Sequence, residues 1–141
     1  MFQEAPVGMP VAESSPEVHR ERVAHLPSEV ASVRARLAAW MADVGCPRSA
    51  DALLVVSELL TNSIRHARPL ADGRVLVEWV RVPEGLSVAV TDGGSETRPR
   101  LVEAGLTAVG GRGVALVQSV SRRWWTTSDD STTTVHAVVE L

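Results

Sequence analysis

Three short segments of the sequence combine polar side chains or glycines in spacings that suit chemistry on a nucleotide. They are Glu58 with Asn62, Asp92-Gly93-Gly94, and Gly110-Gly111-Arg112-Gly113. Each segment alone has an ordinary explanation, namely a solvated helix face, a turn, or a hinge before a helix. Their combination in this order favours a functional site, because nucleotide chemistry needs all three parts.

The first two segments carry the oxygen atoms that such a site requires. Asn62 offers an amide oxygen to Mg²⁺, which bridges phosphate groups while keeping several waters. Glu58 lies one helical turn earlier and is suited to accept a proton from an attacking hydroxyl or water. Asp92 is expected to accept a hydrogen bond from the exocyclic amine of a base, and Gly94 has no side chain to block that base.

The third segment is expected to bind phosphate. Glycines that lead into a helix let backbone N–H groups approach phosphate oxygens at the positive end of the helix dipole. Gly110, Gly111 and Gly113 have this arrangement. Arg112 either neutralises the terminal phosphate or is solvated in its loop, and its position favours neither alternative.

The elements that must position these segments follow from hydrophobic periodicity. Ser28 and Ser49 are the expected N-caps of two helices, and Gly45 with Pro47 ends the first of them. The predicted elements are a strand at 18–26, a helix ending at 44, a helix ending before 69, strands at 74–82 and 86–92, a lid or mobile segment at 93–112, a helix at 113–120, and a hairpin of 124–128 and 132–141.

This order of elements does not alternate strictly between strand and helix, which favours an α+β fold. We expect a two-layer α/β sandwich in which a mixed, mostly antiparallel sheet carries the helices on one face. Residues 1–16, rich in Pro, Glu and Ser, are expected to form a flexible N-terminal tail. Residues 17–141 then form a single domain.

Composition excludes several classes of function. The chain has 141 residues, 45% of them hydrophobic, and a formal net charge of -3. All 14 basic residues are Arg, so mechanisms that need a lysine amine are excluded. A single cysteine, Cys46, excludes an internal disulfide and a zinc finger. With no signal peptide and no apolar run long enough to cross a bilayer, a cytoplasmic location is expected, with no membrane or nucleic-acid partner.

The segments that carry the candidate site residues resemble boxes of a known ATPase superfamily. Val55–Ala67 resembles the N box shared by gyrase, histidine kinases and mismatch-repair ATPases, whose common structure is the Bergerat ATP-binding fold. Val90–Gly94 and Gly110–Val117 resemble the two Gly boxes. The resemblance covers roughly residues 17–141 and is closest to the anti-sigma regulatory factor branch, which consists of small serine protein kinases.

This resemblance implies a role for each matching residue. It implies that Glu58 is the general base, that Asn62 is the Mg²⁺ ligand and that Asp92 reads adenine. It also implies phosphate contacts at Gly111 and Gly113. Thr134 corresponds to a threonine that assists at the adenine in relatives. Two features depart from the family pattern. Glu96 stands where many relatives carry the second glycine of the first Gly box, and Asp129-Asp130-Ser131 replaces a Gly-rich turn.

The resemblance implies an ATP- and Mg²⁺-dependent serine/threonine protein kinase of anti-sigma type. Such a protein phosphorylates an anti-anti-sigma antagonist and sequesters a sigma factor. The alternatives are a non-catalytic ATP-binding regulatory module and a slow ATPase that dimerises, and a homodimer is left open. Trp124-Trp125 place one indole on each face of a strand, so one is expected in the core and the other as a partner anchor.

Overall fold

A computed structural model describes residues 18–95 and 111–141, so the predicted tail and most of the predicted lid lie outside the described residues. The element order agrees with the order predicted from the sequence. The elements are β1 (Val18–Ala24), α1 (Glu29–Asp43), α2 (Ala50–His66), β2 (Arg74–Val82), β3 (Gly85–Asp92), α3 (Gly111–Val120), β4 (Arg123–Ser128) and β5 (Thr133–Val139).

The strands form one five-stranded sheet in the order β1-β2-β3-β5-β4. All four pairings among the described strands are antiparallel, because β2–β3 and β4–β5 are hairpins and β5 returns alongside β3 in the opposite direction. The predicted α+β sandwich is confirmed. The parallel pairing that a mixed sheet would contain does not occur among the described strands.

One face of the sheet, called the inner face below, packs against the helices and forms the hydrophobic core. Alternate residues of β2, β3 and β5 are fully buried there, as expected for a strand with one covered face. The core includes Val33, Leu37 and Met41 of α1, Val56 and Leu60 of α2, Val117 of α3, and Val75, Val77, Trp79, Val88, Val90, Val135 and Ala137 of the sheet.

Among residues 18–95 and 111–141, no helix is long and apolar enough to cross a membrane.

The observed ends and caps of the first three elements differ in part from the predicted ones. β1 ends at Ala24, and Leu26, which was predicted inside the strand, is 54% exposed. Ser49 caps α2 as predicted, because its Oγ accepts a hydrogen bond from the Ala52 N–H at 3.0 Å. Ser28 occupies the N-cap position of α1, but its side chain forms no capping hydrogen bond.

The face of the sheet turned away from the helices is called the outer face below, and it holds a half-buried histidine. The His136 ring stacks on Trp125 with centroids 4.7 Å apart, and its Nε2 is paired with Thr127 Oγ1 at 3.1 Å. Burial lowers the pKa of His136 below its ordinary value of 6.5, although the nearby Glu78 carboxylate opposes the shift.

This lowered pKa predicts an acid-dependent loss of stability. The unfolded chain binds a proton at His136 more readily than the folded chain, so the free energy of unfolding decreases as pH falls through about 6.5. We expect the His136→Gln variant to lose less stability than the wild type between about pH 7.5 and pH 5.5 in urea denaturation. His66→Gln is the control for removing an imidazole elsewhere, and an equal effect of both variants would contradict the prediction.

Candidate functional site

Hydrogen bonds from Ser63 and from the Gly94 backbone help to hold the carboxylate of Asp92 at the end of β3. Ser63 Oγ donates to its Oδ2, and the Gly94 N–H donates to its Oδ1 at 2.8 Å. Asp92 is fully buried, so a base reaches it only after the groups that cover it move. The bond from Ser63 joins the last turns of α2 to the end of β3 and thereby brings the first two sequence segments together.

The two glycines after Asp92 allow the chain to pass very close to the segment that follows α2. The Gly93 N–H donates to the Arg68 carbonyl at 2.7 Å, and the Arg68 N–H donates to the Gly94 carbonyl at 3.1 Å. A Cβ at Gly93 would lie 2.2 Å from the Pro69 carbonyl oxygen. Gly94 has φ of +80°, a left-handed conformation that glycine adopts without strain.

This close approach predicts a large effect of a single methyl group. Gly93→Ala forces two backbone segments apart, so we expect it to lower the free energy of unfolding by roughly 1–3 kcal/mol and to weaken ATP binding. In Gly73→Ala the added Cβ meets nothing within 4 Å. That control has a cost of only about 1–2 kcal/mol from its positive φ and should leave ATP binding intact. Unchanged ATP binding in Gly93→Ala would contradict the prediction.

Glu58 and Asn62 lie one turn apart on the same side of α2, and both are half-buried. Within residues 18–95 and 111–141, neither side chain forms a hydrogen bond. The residues beside them are in the core, since Val55 and Leu59 are 0% and 2% exposed. The predicted polar strip between apolar shoulders is therefore present, with its oxygens available to a ligand.

Ser57, the residue before Glu58, connects α1 to α2. Its Oγ donates to the Leu53 carbonyl at 2.7 Å and accepts from Arg34 Nη1 at 2.9 Å. These bonds fix the turn of α2 that carries Glu58. Neither Ser57 nor Arg34 was predicted to belong to the site, because a contact between two helices leaves no signal in local spacing.

Most of the second glycine segment lies inside α3 and not in the loop that precedes this helix. The helix begins at Gly111, two residues earlier than predicted, so the backbones of Gly111, Arg112 and Gly113 form its first turn. Gly110 and the side chain of Arg112 lie outside what the structure describes. α3 packs against α2, the helix that carries Glu58 and Asn62.

Thr134 does not lie beside Asp92. It pairs with Thr91, and the two hydroxyl oxygens are 2.8 Å apart on the outer face of the sheet. Thr133, one residue earlier, is the register partner of Asp92, and a Cβ at Gly94 would lie 3.2 Å from its Oγ1. Thr133 and Ser63 are thus the site neighbours that sequence reasoning missed. For Thr133, the sequence signal was the run of three threonines, which did not determine which threonine faces the helices.

The turn Asp129-Asp130-Ser131, which departs from the family pattern, forms without glycine. Asp129 Oδ1 accepts hydrogen bonds from the Ser131 N–H at 2.9 Å and the Thr132 N–H at 2.8 Å. These bonds, the one from Ser131 foremost, lower the pKa of Asp129. The side chain of Asp129 therefore stabilises this turn. Glu96, the other departure, lies outside the described residues.

Comparison with known protein families identifies this arrangement. A family model of the histidine kinase-like ATPase domain matches residues 23–139, from the end of β1 to the end of β5. The chain belongs to this family. It is accordingly an ATP-binding domain with the ATPase-type fold described above. A search of curated proteins finds no match.

The match to the histidine kinase-like ATPase family covers the segments that form the candidate site, in their order along the chain. The matched residues include α2 with Glu58 and Asn62, the buried Asp92 after β3, and the glycine-rich first turn of α3. The ligand of the domain is ATP, and the contact that each of these residues makes with it stays a prediction.

Proposed function

We propose that this protein is an ATP- and Mg²⁺-dependent serine/threonine protein kinase of anti-sigma factor type. In this proposal it phosphorylates an anti-anti-sigma antagonist and sequesters a sigma factor, and it thereby regulates transcription. The observation that carries the proposal is the pair Glu58 and Asn62, whose half-buried side chains form no hydrogen bond within the described residues. Ser63, adjacent to Asn62, links this pair to Asp92.

The donor set at this site suits Mg²⁺ and ATP. Asn62 supplies an amide oxygen, a ligand type that Mg²⁺ accepts alongside waters and phosphate oxygens. When bound there, Mg²⁺ neutralises charge on the phosphates of ATP. Asp92 supplies the side-chain oxygen acceptor that selects the exocyclic amine of adenine. The first turn of α3 presents backbone N–H groups that no earlier residue of the helix accepts, a setting suited to phosphate.

Glu58 is the group that we expect to separate a kinase from a passive ATP-binding module. Its carboxylate accepts the proton of a serine or threonine hydroxyl as that oxygen forms a bond to the γ-phosphorus of ATP. The bond between the γ-phosphorus and the bridging oxygen breaks, so ADP leaves and a phosphoprotein is formed. The proton then passes from Glu58 to solvent.

Transfer of labelled phosphate tests the proposal. The protein is incubated with ATP labelled at the γ-phosphate, Mg²⁺ and, in turn, each purified anti-anti-sigma protein of the source organism. We expect label on a serine or threonine of at least one of them, and loss of transfer in EDTA. ATP binding without transfer to any of these proteins would favour the alternative, a non-catalytic ATP-binding regulatory module. Absence of ATP binding would contradict both.

A further inference from the structure

The side chain of His25, the residue that follows β1, binds the end of α2. Its ring is half-buried, and its Nε2 lies 2.9 Å from the carbonyl oxygen of Ala67, 42 positions away in the sequence. A carbonyl oxygen can only accept a hydrogen bond, so Nε2 of His25 carries a hydrogen and donates it. His25 therefore connects the end of the first strand to the helix that carries the candidate site.

Ala67 is the residue at which the chain leaves α2. Its φ of -127° and ψ of 163° are extended, while its N–H still donates to the Ser63 carbonyl at 3.0 Å. The last carbonyl groups of a helix have no partner within the helix, so they need one from elsewhere. His25 supplies that partner for the carbonyl of Ala67.

The peptide group that His25 holds also holds the segment after Asp92. The Ala67 carbonyl and the Arg68 N–H belong to one planar trans peptide group, so they point in opposite directions. The Arg68 N–H donates to the Gly94 carbonyl at 3.1 Å. The Gly94 N–H in turn donates to Asp92 Oδ1 at 2.8 Å. A series of hydrogen bonds thus connects His25 to the Asp92 carboxylate.

The backbone around this series is tightly packed, so a displacement at one end reaches the other. The Gly93 N–H donates to the Arg68 carbonyl at 2.7 Å, and a Cβ at Gly93 would lie 2.2 Å from the Pro69 carbonyl oxygen. Asp92 itself is fully buried. Hydrogen bonds in a series also polarise one another, so loss of the first weakens those that follow. Rotation of the peptide group after Ala67 therefore shifts the Asp92 carboxylate.

We propose that His25 is a positioning residue that sets the specificity of this domain for 6-aminopurine nucleotides. By donating to the Ala67 carbonyl, His25 fixes the peptide group that holds Gly94. It thereby orients the Asp92 carboxylate toward the exocyclic amine of adenine, without touching the nucleotide itself. This inference rests on Asp92 as the reader of adenine in the proposed function, and it does not depend on phosphotransfer or on an anti-sigma partner.

Two nucleotides that differ only in the exocyclic amine test this inference. The dissociation constants of ATP and of purine riboside triphosphate, which lacks the amine, are measured by isothermal titration calorimetry with Mg²⁺. His25→Phe keeps a ring but lacks the donor, so we expect ATP to bind roughly 3–10-fold more weakly, as for the loss of one hydrogen bond. Purine riboside triphosphate should bind as it does to the wild type. His25→Gln should restore the affinity for ATP, because its Nε2 is a donor at the same position along the side chain.

His19→Phe is the matched control. His19 is a half-buried histidine of β1 whose Nε2 is paired with Glu21 Oε1 at 3.2 Å, a contact that does not involve the end of α2. We expect this variant to bind both nucleotides as the wild type does. Folding of every variant is checked by urea denaturation, and His25→Ala, which needs no space for a ring, replaces His25→Phe if that variant does not fold.

Three results would overturn the inference. The first is an unchanged affinity for ATP in His25→Phe, which shows that Asp92 keeps its orientation without His25. The second is an equal loss of affinity for both nucleotides, which assigns His25 to support of the fold alone. The third is a wild type that binds both nucleotides equally, which contradicts the reading of adenine by Asp92 itself. These affinities do not depend on phosphotransfer, so failure of the kinase function is detected separately, by the assay with labelled phosphate.

Discussion

Substitution of Asp92 by asparagine is expected to abolish most of the stabilisation that ATP gives to this domain. The amide has one oxygen acceptor, and the Gly94 N–H already donates to that position. The amide nitrogen replaces Oδ2, the oxygen that accepts from Ser63 Oγ, so the side chain no longer offers a second oxygen that could also accept from adenine. In the wild type, ATP at ~100 Kd stabilises the fold by about 2.7 kcal/mol. This raises Tm by about 8 °C at about 3 °C per kcal/mol.

The measurement is differential scanning fluorimetry with and without Mg²⁺-ATP. GTP is the ligand control, because guanine presents a carbonyl where adenine presents its amine, and it should give little shift in the wild type. Asp92→Ala has a further effect, since it removes the acceptor for Ser63 Oγ and the Gly94 N–H. Each donor left unpaired in the core costs about 1–3 kcal/mol. A full ATP shift in Asp92→Ala would show that Asp92 does not read the base.

Substitution of Glu58 by glutamine is expected to separate ATP binding from phosphotransfer. Glutamine has the shape of glutamate but cannot accept a proton, so we expect transfer to the antagonist to fall by roughly 10²–10⁴-fold. The side chain of Glu58 forms no hydrogen bond within the described residues, so the free energy of unfolding should change by less than about 0.5 kcal/mol. The thermal shift with ATP should remain.

Asn62→Ala is the matched variant one turn along the same helix. We expect it to lose the part of ATP binding that depends on Mg²⁺, so the wild type and the variant should differ in Mg²⁺ and converge in EDTA. Phosphotransfer is measured with the same labelled ATP as above. Full transfer by Glu58→Gln would rule out Glu58 as the base, whereas loss of ATP binding in that variant would assign it to ligand binding.

Much of the fold was predictable because local patterns dictate it. Ser49 at the start of α2 and the buried stripe of that helix follow from capping and from the 3.6-residue period. The strands of the sheet follow from alternation. The boundaries at Ala24 and Gly111 were less predictable, since the ends of elements depend on packing against neighbours that are distant in sequence.

The sequence by itself determined which residue types could form the site, namely Glu58 and Asn62 one turn apart, a carboxylate at Asp92, and the glycines before Val114. These signals are local, because helix period and strand alternation are set by backbone geometry. Family membership agrees with them.

Only the tertiary structure decided which groups meet. The bond from Ser63 to Asp92 joins residues 29 positions apart. The choice of Thr133 over Thr134 beside the site depends on register, because a shift of one residue turns a strand side chain to the opposite face. Strand order and register are set by packing of the whole sheet, and no short stretch of sequence contains them.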